Sequence, residues 1–343
     1  TAIMMAELND DLFGNLDSKM DFLNEQTKTN TDGIYRIDLS KVKDKKKGYR
    51  SVVRFLPNLT QDGKVGQAAI EKISHYVDIK NQKELSGYFD SPKNFGEKCA
   101  LSDLYYQLTN SKNAILQERA KMLKYSKKYY SYVLVLEDEQ QPELVGKIMI
   151  FQYGKTIKDK ISAEKNGEIS GVSCNVFDLS AGKDFVLLVK EIQTGDETYP
   201  DYKMSMFKPE TSSLPIFFKE KGVFKNAPLG TDGKVESKAH STIREFLMDR
   251  EHHLEDFGPK KLDDTQQGKI NEIIGFMTGK TSQSFVSSKS ESKPTSEDFD
   301  FEESMTSTNS SPSTDGDDDD FFRDFWYQNV FNEKPHKFVG FFH

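Results

Sequence analysis

The sequence contains little cysteine and no long apolar run. Cys99 and Cys174 are its only cysteines, which is too few to suggest a disulfide framework and is compatible with a reducing compartment. It has no run of about 18 apolar residues to span a membrane, and its first residues lack the basic-then-apolar pattern of a secretory signal. We therefore expect a soluble, intracellular protein whose apolar residues, 36% of the chain, bury a globular core.

Common catalytic motifs are also absent. The sequence has no G-x-x-x-x-G-K phosphate loop, no G-x-S-x-G nucleophile elbow and no H-E-x-x-H zinc motif, and its carboxylates are concentrated towards the two ends of the chain. An enzyme hypothesis is left without candidate residues. We therefore expect a non-catalytic protein.

The net charge of -8 is distributed unevenly. Residues 41–190 hold 26 Lys/Arg against 18 Asp/Glu, whereas residues 1–40 and 191–343 are both acidic. The charge that matters for a ligand is that of the region touching it, so the basic middle of the chain predicts a polyanionic partner.

The stretch from Arg119 to Val133, RAKMLKYSKKYYSYV, carries five cations, four tyrosines and no acid. Cations that bind phosphates, together with flat rings that stack on unpaired bases, are typical of single-stranded nucleic-acid binding. The same combination recurs in neighbouring segments. The predicted contact residues are Lys45, Lys46, Lys47, Arg54, Lys121, Lys124, Lys127, Lys128, Tyr129, Tyr130, Phe151, Tyr153, Lys155, Tyr199 and Tyr202.

A plainer alternative is that these tyrosines pack in a core and that the lysines only keep the protein soluble. Strand alternation places Tyr130 and Tyr132 on one face and Tyr129 on the other. Not all three rings are then able to stack on one ligand.

Short runs rich in β-branched and aromatic residues predict strands. One helix is predicted over residues 101–123, with Ser102 or Asp103 as its N-cap, and more helical patterns follow after Pro209. About five strands interrupted by one helix fit an α+β fold with a five-stranded barrel of the oligonucleotide-binding type, although other β-rich folds fit nearly as well. The predicted strands are 51–56, 69–79, 130–136, 147–153 and 185–192, and the later helices are 237–257 and 266–277.

Composition changes along the chain predict its organisation. Between Glu297 and Asp324 there are eleven acids and one base, a composition that cannot offset the entropy cost of ordering. The expected parts are an N-terminal arm (1–33), a nucleic-acid-binding core (34–207), a helical region (208–280), a disordered acidic tail (281–325) and an unexplained aromatic appendage (326–343).

His75 and Cys99 raise the question of a metal site. A structural zinc ion normally has four Cys or His ligands, and this region adds only the weaker candidates Asp90 and Asp103. We therefore expect a satisfied surface histidine and a buried thiol, with no metal.

Four segments, in this order and spacing, resemble the single-stranded DNA-binding, helix-destabilising proteins of T-even-type bacteriophages. They are GYRSVVRFLP at 48–57, the group from Gly146 to Ile161 that includes Phe151 and the sequence YGK, FVLLVK at 185–190, and the acidic and aromatic tip at 315–324.

The resemblance implies a barrel with an inserted subdomain at about 68–123, and cooperative coating of single-stranded DNA in replication, recombination and repair. It also implies an acidic tail that recruits phage proteins, a location in the cytoplasm of the infected bacterial host, and no membrane partner. The positions that match the family's DNA contacts are Lys124, Tyr129, Tyr130, Phe151, Tyr199 and Tyr202.

The sequence departs from this family in two places. The family's inserted subdomain usually binds zinc through one His and three Cys; His75 and Cys99 match, Ser102 stands at one further Cys position, and the other falls near Phe89 or Asp90. Zinc is therefore not expected as a cofactor. The N-terminal arm is acidic instead of basic, which removes the expected basis for cooperativity through it.

Two other functions remain open from the sequence. An RNA-binding translational regulator would use the same cations and rings, and a protein-binding replication scaffold would act through its tail. The acidic tail also suggests autoinhibition, since it could occupy the basic groove until nucleic acid displaces it.

Overall fold

A 14-residue strand, β4 (Tyr125–Asp138), connects the two halves of the molecule. The computed structural model describes residues 33–79, 82–194, 197–214 and 237–279. Residues 1–32 of the predicted arm, residues 215–236 of the predicted helical region, the acidic tail and the last eighteen residues lie outside these ranges. The other helices and strands are β1 (Tyr49–Phe55), β2 (Ile70–Val77), β3 (Gly87–Asp90), α1 (Ala100–Thr109), α2 (Ala114–Ala120), β5 (Ile148–Tyr153), α3 (Lys155–Asn166), β6 (Gly182–Thr194), β7 (Glu197–Asp201), β8 (Met206–Ser212), α4 (Ser237–Met248) and α5 (Asp264–Thr278).

The strands form one antiparallel sheet in the order β3-β2-β4-β1-β6-β7, with β5 paired to β4 and β8 paired to β6. The first half of β4 pairs with β2, and the second half pairs with β1. The predicted α+β class is confirmed. The sheet has eight strands instead of about five, and the pairings within the described ranges do not close it into a barrel.

All five predicted strands lie within or largely overlap β1, β2, β4, β5 and β6. The three strands that the sequence reading missed are short or polar, and β7 and β8 contain Pro200 and Pro209. Proline removes a backbone donor and is tolerated mainly at sheet edges. Helix α3 was missed because most of it is charged and polar, with Ile157 and Ile161 as its buried apolar residues.

The main core is rich in aromatic rings and is centred on Phe55 of β1. Its side chain is fully buried, and five other rings lie within 6.3 Å of its own, measured between centroids. Rings of this size contribute a large share of the buried apolar area in a core. The five partners are Phe151, Tyr153, Phe177, Phe185 and Phe207.

A second apolar core lies in the inserted region, between β2, β3 and the helices α1 and α2. Helix α5 supplies Ile270, Ile273 and Met277 to this core, whereas Ile243 and Leu247 of α4 belong to the main core. The C-terminal helices therefore pack against both cores. No helix in the described ranges is long and apolar enough to cross a membrane.

The single helix predicted over residues 101–123 is two helices and a 3-10 turn. Helix α1 ends at Thr109, and Asn113 caps α2 by accepting a hydrogen bond from the Ile115 amide. The predicted N-cap is also wrong. Cys99 occupies that position, and its side chain makes no capping hydrogen bond to the helix. Ser102 lies three residues further on, inside the helix, where its hydroxyl bonds to His75.

The two later helices were predicted with different success. The first ends at Met248, and a separate 3-10 turn (Leu254–Phe257) follows. The second is confirmed as α5, where Asp263 and Gln266 form a reciprocal capping box visible as D-x-x-Q in the sequence.

Candidate nucleic-acid interface

Lys127 and Tyr129 lie on the same face of β4 because they are two residues apart in a strand. Glu71 is directly opposite Tyr129 on β2. The Lys127 ammonium lies 3.1 Å from the Glu71 carboxylate, and the Tyr129 hydroxyl donates a hydrogen bond to the same carboxylate. Burial raises the pKa of Tyr129 well above its usual range, and the charge of Glu71 raises it further. The hydroxyl therefore stays protonated.

Helix α3 brings a second group of lysines to this face. It begins at Lys155, two residues after Tyr153, which pairs with Tyr129 across β4 and β5. The ammonium groups of Lys155 and Lys158 lie 3.1 and 3.5 Å from the Asp159 carboxylate. The charge of Asp159 also raises the pKa of Tyr129, so carboxylates from β2 and α3 act on one hydroxyl. We refer to Glu71, Lys127, Tyr129, Lys155 and Asp159 as the β4–α3 cluster.

The ion pairs of the β4–α3 cluster are open to solvent. The Lys127 and Lys155 side chains are 43% and 54% exposed. Exposed ion pairs contribute only about 0–1 kcal/mol each. A phosphate forms strong charge-assisted bonds with lysine, so it is able to replace either carboxylate at small cost. A polyanion is therefore able to bind the lysines of the cluster by displacing their carboxylate partners.

Residues 45–47 lie exposed in the turn that precedes β1. The next residue, Gly48, has a φ of +76°, and a Cβ there would lie 2.5 Å from the Val189 carbonyl oxygen. Only glycine permits this close approach in that conformation. The turn is thereby held against β6, where the Lys45 ammonium lies 3.2 Å from Glu191.

Two of the predicted aromatic contacts, one in β7 and one in the loop after it, differ in their burial. Tyr199 is half-buried opposite Ile192 of β6, whereas Tyr202 is buried in the main core. Helix α3 reaches this region, because the Lys160 ammonium donates a hydrogen bond to the Lys203 carbonyl oxygen at 3.2 Å. The helix thus contacts both β4 and the connection between β7 and β8.

Arg54 does not lie on an open surface as predicted. Its side chain is fully buried and forms an ion pair with Asp184 at 3.2 Å. It also donates to the Ser212 side chain and to the carbonyl oxygens of Asp178 and Ser212. Burial lowers the pKa of this guanidinium, and the charge of Asp184 opposes that effect. Arg54 therefore stabilises the join between β1, β6 and β8.

Phe151 and Tyr153 likewise do not form an exposed stacking surface. Each is 1% exposed. Their rings pack on each other at 5.7 Å, and the Tyr153 ring stacks on Tyr129 at the same centroid distance. The Tyr153 hydroxyl bonds to Ser131. The alternative that the rings pack in a core is correct for Phe151, Tyr153 and Tyr202. It is also correct for Tyr129, which is 4% exposed, so the predicted stacking of a base on Tyr129 is wrong.

Tyr130 and Lys128 point to the opposite face of β4 and are buried there. The Tyr130 ring lies 5.7 Å from that of Phe257, and the Tyr132 hydroxyl accepts a hydrogen bond from the Leu254 amide. The prediction that Tyr130 and Tyr132 share a face is confirmed. The C-terminal segment covers that face, so the expected exposure of Tyr130 and Lys128 is wrong.

The two remaining predicted cations precede β4. Lys121 is exposed and pairs with Glu118 at 2.7 Å, one turn earlier in the chain. Lys124 is half-buried at the end of the 3-10 turn. Their roles in binding stay predictions.

A family model described as "gp32 DNA binding protein like" matches residues 47–271. This match covers more than half of the chain. The chain belongs to the gp32-like DNA-binding family. A search of curated proteins gave no match. The gp32-like domain contains the whole β4–α3 cluster and begins at Lys47, so Lys45 and Lys46 lie just before it.

His75 lies at the centre of a polar group in the inserted region of this gp32-like domain. It is fully buried, so the prediction of a surface histidine is wrong. Its Nδ1 lies 2.7 Å from the Leu123 carbonyl oxygen, and its Nε2 lies 3.1 Å from Ser102 Oγ and 3.4 Å from Cys99 Sγ. Burial raises the pKa of Cys99, but hydrogen bonds from His75 and Ser91 outweigh it and bring the pKa to about 6.

This donor set does not fit a structural zinc ion. Ser102 offers a neutral hydroxyl, and position 89, directly opposite His75 in the β2–β3 pairing, is a buried phenylalanine. Asp90 is held by the Lys72 ammonium at 3.2 Å and by the Lys260 amide at 2.8 Å. Among the described residues, no group of three or more His, Cys, Asp or Glu is arranged to hold a metal ion. Zinc normally takes four such ligands.

The sequence reading missed the acids of the β4–α3 cluster. Lys155 and Asp159 have the i, i+4 spacing of a helical ion pair, so that link would have been visible if α3 had been predicted. Glu71 carried no such signal, because it meets Lys127 only through the pairing of β2 with β4.

Proposed function

We propose that this gp32-like protein binds single-stranded DNA, without catalysis, along the β4–α3 cluster and the neighbouring lysines. The observation that carries the proposal is the meeting of Lys127 and Lys155 around Tyr129 within the DNA-binding domain. Lysines bind the phosphates that every sequence shares, so this surface favours binding with little base preference.

The wider role that we propose is the coating of single strands during phage DNA replication, recombination and repair in the host cytoplasm. The acidic tail would recruit partner proteins, and copies of the chain would associate along the DNA. These parts rest on the sequence resemblance and on the eleven acids between Glu297 and Asp324.

We propose that the fold needs no zinc. The support is the closed network of His75, Cys99 and Ser102, together with the apolar packing of the inserted region. Buried polar groups that are hydrogen-bonded to one another carry little desolvation penalty, so this centre is able to stay stable without a metal.

The first test is a titration of a labelled oligo-dT by fluorescence anisotropy at two salt concentrations. If about four phosphates are neutralised, log K is expected to fall with log salt at a slope of about -3. Competition with poly-U and with duplex DNA separates the alternatives. Stronger competition by poly-U than by poly-dT would favour the RNA-binding function, and no binding of any nucleic acid would favour a protein scaffold.

The second test uses the acids of the cluster. The double variant Glu71→Gln/Asp159→Asn removes both carboxylate charges and keeps the hydrogen-bond acceptors. Affinity for oligo-dT at low salt is expected to rise about two- to thirtyfold, if each carboxylate contributes about 0.2–1 kcal/mol of competition. Glu143→Gln is the matched control, because Glu143 forms an exposed pair with Lys41 outside the cluster. An equal change in oligo-dT affinity in the double variant and in the control would contradict this location of the site.

A further inference from the structure

A second group of rings and cations lies at the start of β4, outside the set that the sequence predicted. The Lys93 ammonium lies 5.4 Å from the centroid of the Tyr106 ring and 5.8 Å from that of Tyr125. Lys93 comes from a 3-10 turn (Pro92–Phe95), Tyr106 from α1, and Tyr125 opens β4. Three separate segments therefore place one cation between two aromatic rings.

The Tyr106 ring is open to solvent. Tyr106 is 46% exposed, and its ring packs edge-to-face against that of Tyr105, with 5.2 Å between the centroids. A ring supported from one side and exposed on another is suited to stack on an unpaired base. The contrast with Phe151 and Tyr153, each 1% exposed, is large.

Lys93 also differs from the cations of the β4–α3 cluster. Lys127 and Lys155 each pair with a carboxylate at 3.1 Å. In the described part of the chain, no carboxylate lies within salt-bridge distance of Lys93, whose ammonium contacts rings instead. A phosphate would therefore bind Lys93 without displacing an acid.

The two groups lie on one continuous face. Tyr125, Lys127 and Tyr129 alternate along the same side of β4, and Tyr125 and Tyr129 are about 13 Å apart at the usual rise of a strand. Asp159, whose charge acts on the Tyr129 hydroxyl, pairs with Lys155 at 3.1 Å. Rings and cations thus continue from the inserted region to helix α3.

We propose that Lys93, Tyr106 and Tyr125 form a second contact for the same single strand that the β4–α3 cluster binds. An unpaired base stacks on Tyr106, and Lys93 binds a nearby phosphate. This inference rests on the proposed function and adds the inserted region to the binding surface. It also assigns to that region a role in binding that depends on side chains and not on a metal.

The test measures binding of an oligo-dT of about 16 nucleotides, at the upper end of the site sizes of oligonucleotide-binding folds. Tyr106→Ala is expected to weaken binding at least about fivefold, whereas Tyr106→Phe, which keeps the ring, is expected to bind as the parent does. Lys93→Gln is expected to make the salt slope shallower by about 0.7.

Tyr88→Ala is the matched control. Tyr88 is 37% exposed, so it offers a similarly open ring, with the buried ammonium of Lys72 5.5 Å from its centroid. It pairs with Tyr76 and therefore lies on the other face of the sheet from Tyr125, which pairs with His75. Its removal is expected to leave binding unchanged.

The outcomes distinguish the two proposals. If Tyr106→Ala and Lys93→Gln bind like the parent chain while Lys127→Ala binds more weakly, the second contact is refuted and the proposed function stands. If Tyr88→Ala loses as much affinity as Tyr106→Ala, the loss is not specific to this face and the second contact is also refuted. Failure of the parent chain to bind the oligonucleotide overturns both proposals.

Discussion

Arg54 and Asp184 form a buried ion pair at 3.2 Å that joins strand β1 to its neighbour β6. Arg54 is fully buried, and Asp184 is 15% exposed and also lies 3.3 Å from the Lys208 ammonium. In the sequence, Arg54 lies in a strand that resembles a DNA-binding motif and reads as a phosphate contact. The packing of β1 against β6 and β8 instead makes it a structural residue.

Arg54→Met is expected to lower the free energy of unfolding by about 3–5 kcal/mol, because it leaves Asp184 without its buried partner. Urea denaturation measures the change. Arg50→Ala, which breaks the exposed pair with Glu137, is the control and is expected to cost less than about 1 kcal/mol. Equal losses in the two variants would contradict a structural role for Arg54.

Lys127→Ala and Lys155→Ala are each expected to make the salt slope of oligo-dT binding shallower by about 0.7, because each removes one phosphate contact. Anisotropy titrations at several salt concentrations give the slope. Lys41→Ala removes an exposed lysine that pairs with Glu143, and it should leave the slope unchanged. A slope that stays constant in the two cluster variants would show that the DNA lies elsewhere.

Deletion of residues 297–343 is expected to raise DNA affinity, most strongly at low salt, because it removes a tethered polyanion that competes for the same cations. The control ends the chain at residue 325, so that it keeps the acidic run and loses only the aromatic appendage. Equal affinities of the full chain and the 297–343 deletion would remove the autoinhibition hypothesis.

The thermal midpoint of the chain is expected to be the same with a chelator and with added zinc. Phe89→Cys/Ser102→Cys is expected to bind about one cobalt or zinc ion, because both positions adjoin His75 and Cys99 and would complete a tetrahedral set. Cobalt–thiolate absorbance detects the ion, and Ser102→Cys alone is the control. Tight, stoichiometric zinc binding by the unaltered chain would refute a metal-independent fold.

Local patterns were sufficient to predict many secondary-structure elements. The five main strands and helix α5 follow from β-branched runs and from the D-x-x-Q capping box, which are features of neighbouring residues. The face shared by Tyr130 and Tyr132 follows from strand alternation alone. The break between α1 and α2 was missed although Asn113 is a favourable N-cap, because the apolar pattern runs on past it.

The sequence alone determined the basic character of the middle of the chain, the main strands of its sheet and its resemblance to phage DNA-binding proteins, because charge, periodicity and motif order are properties of the chain itself. Tertiary structure decided which of the predicted contacts reach solvent. Arg54, Phe151 and Tyr153 are buried, whereas the side chains of Lys127 and Lys155 are about half exposed. Burial depends on which residues distant in sequence pack on either side of a strand, and local patterns do not contain that information.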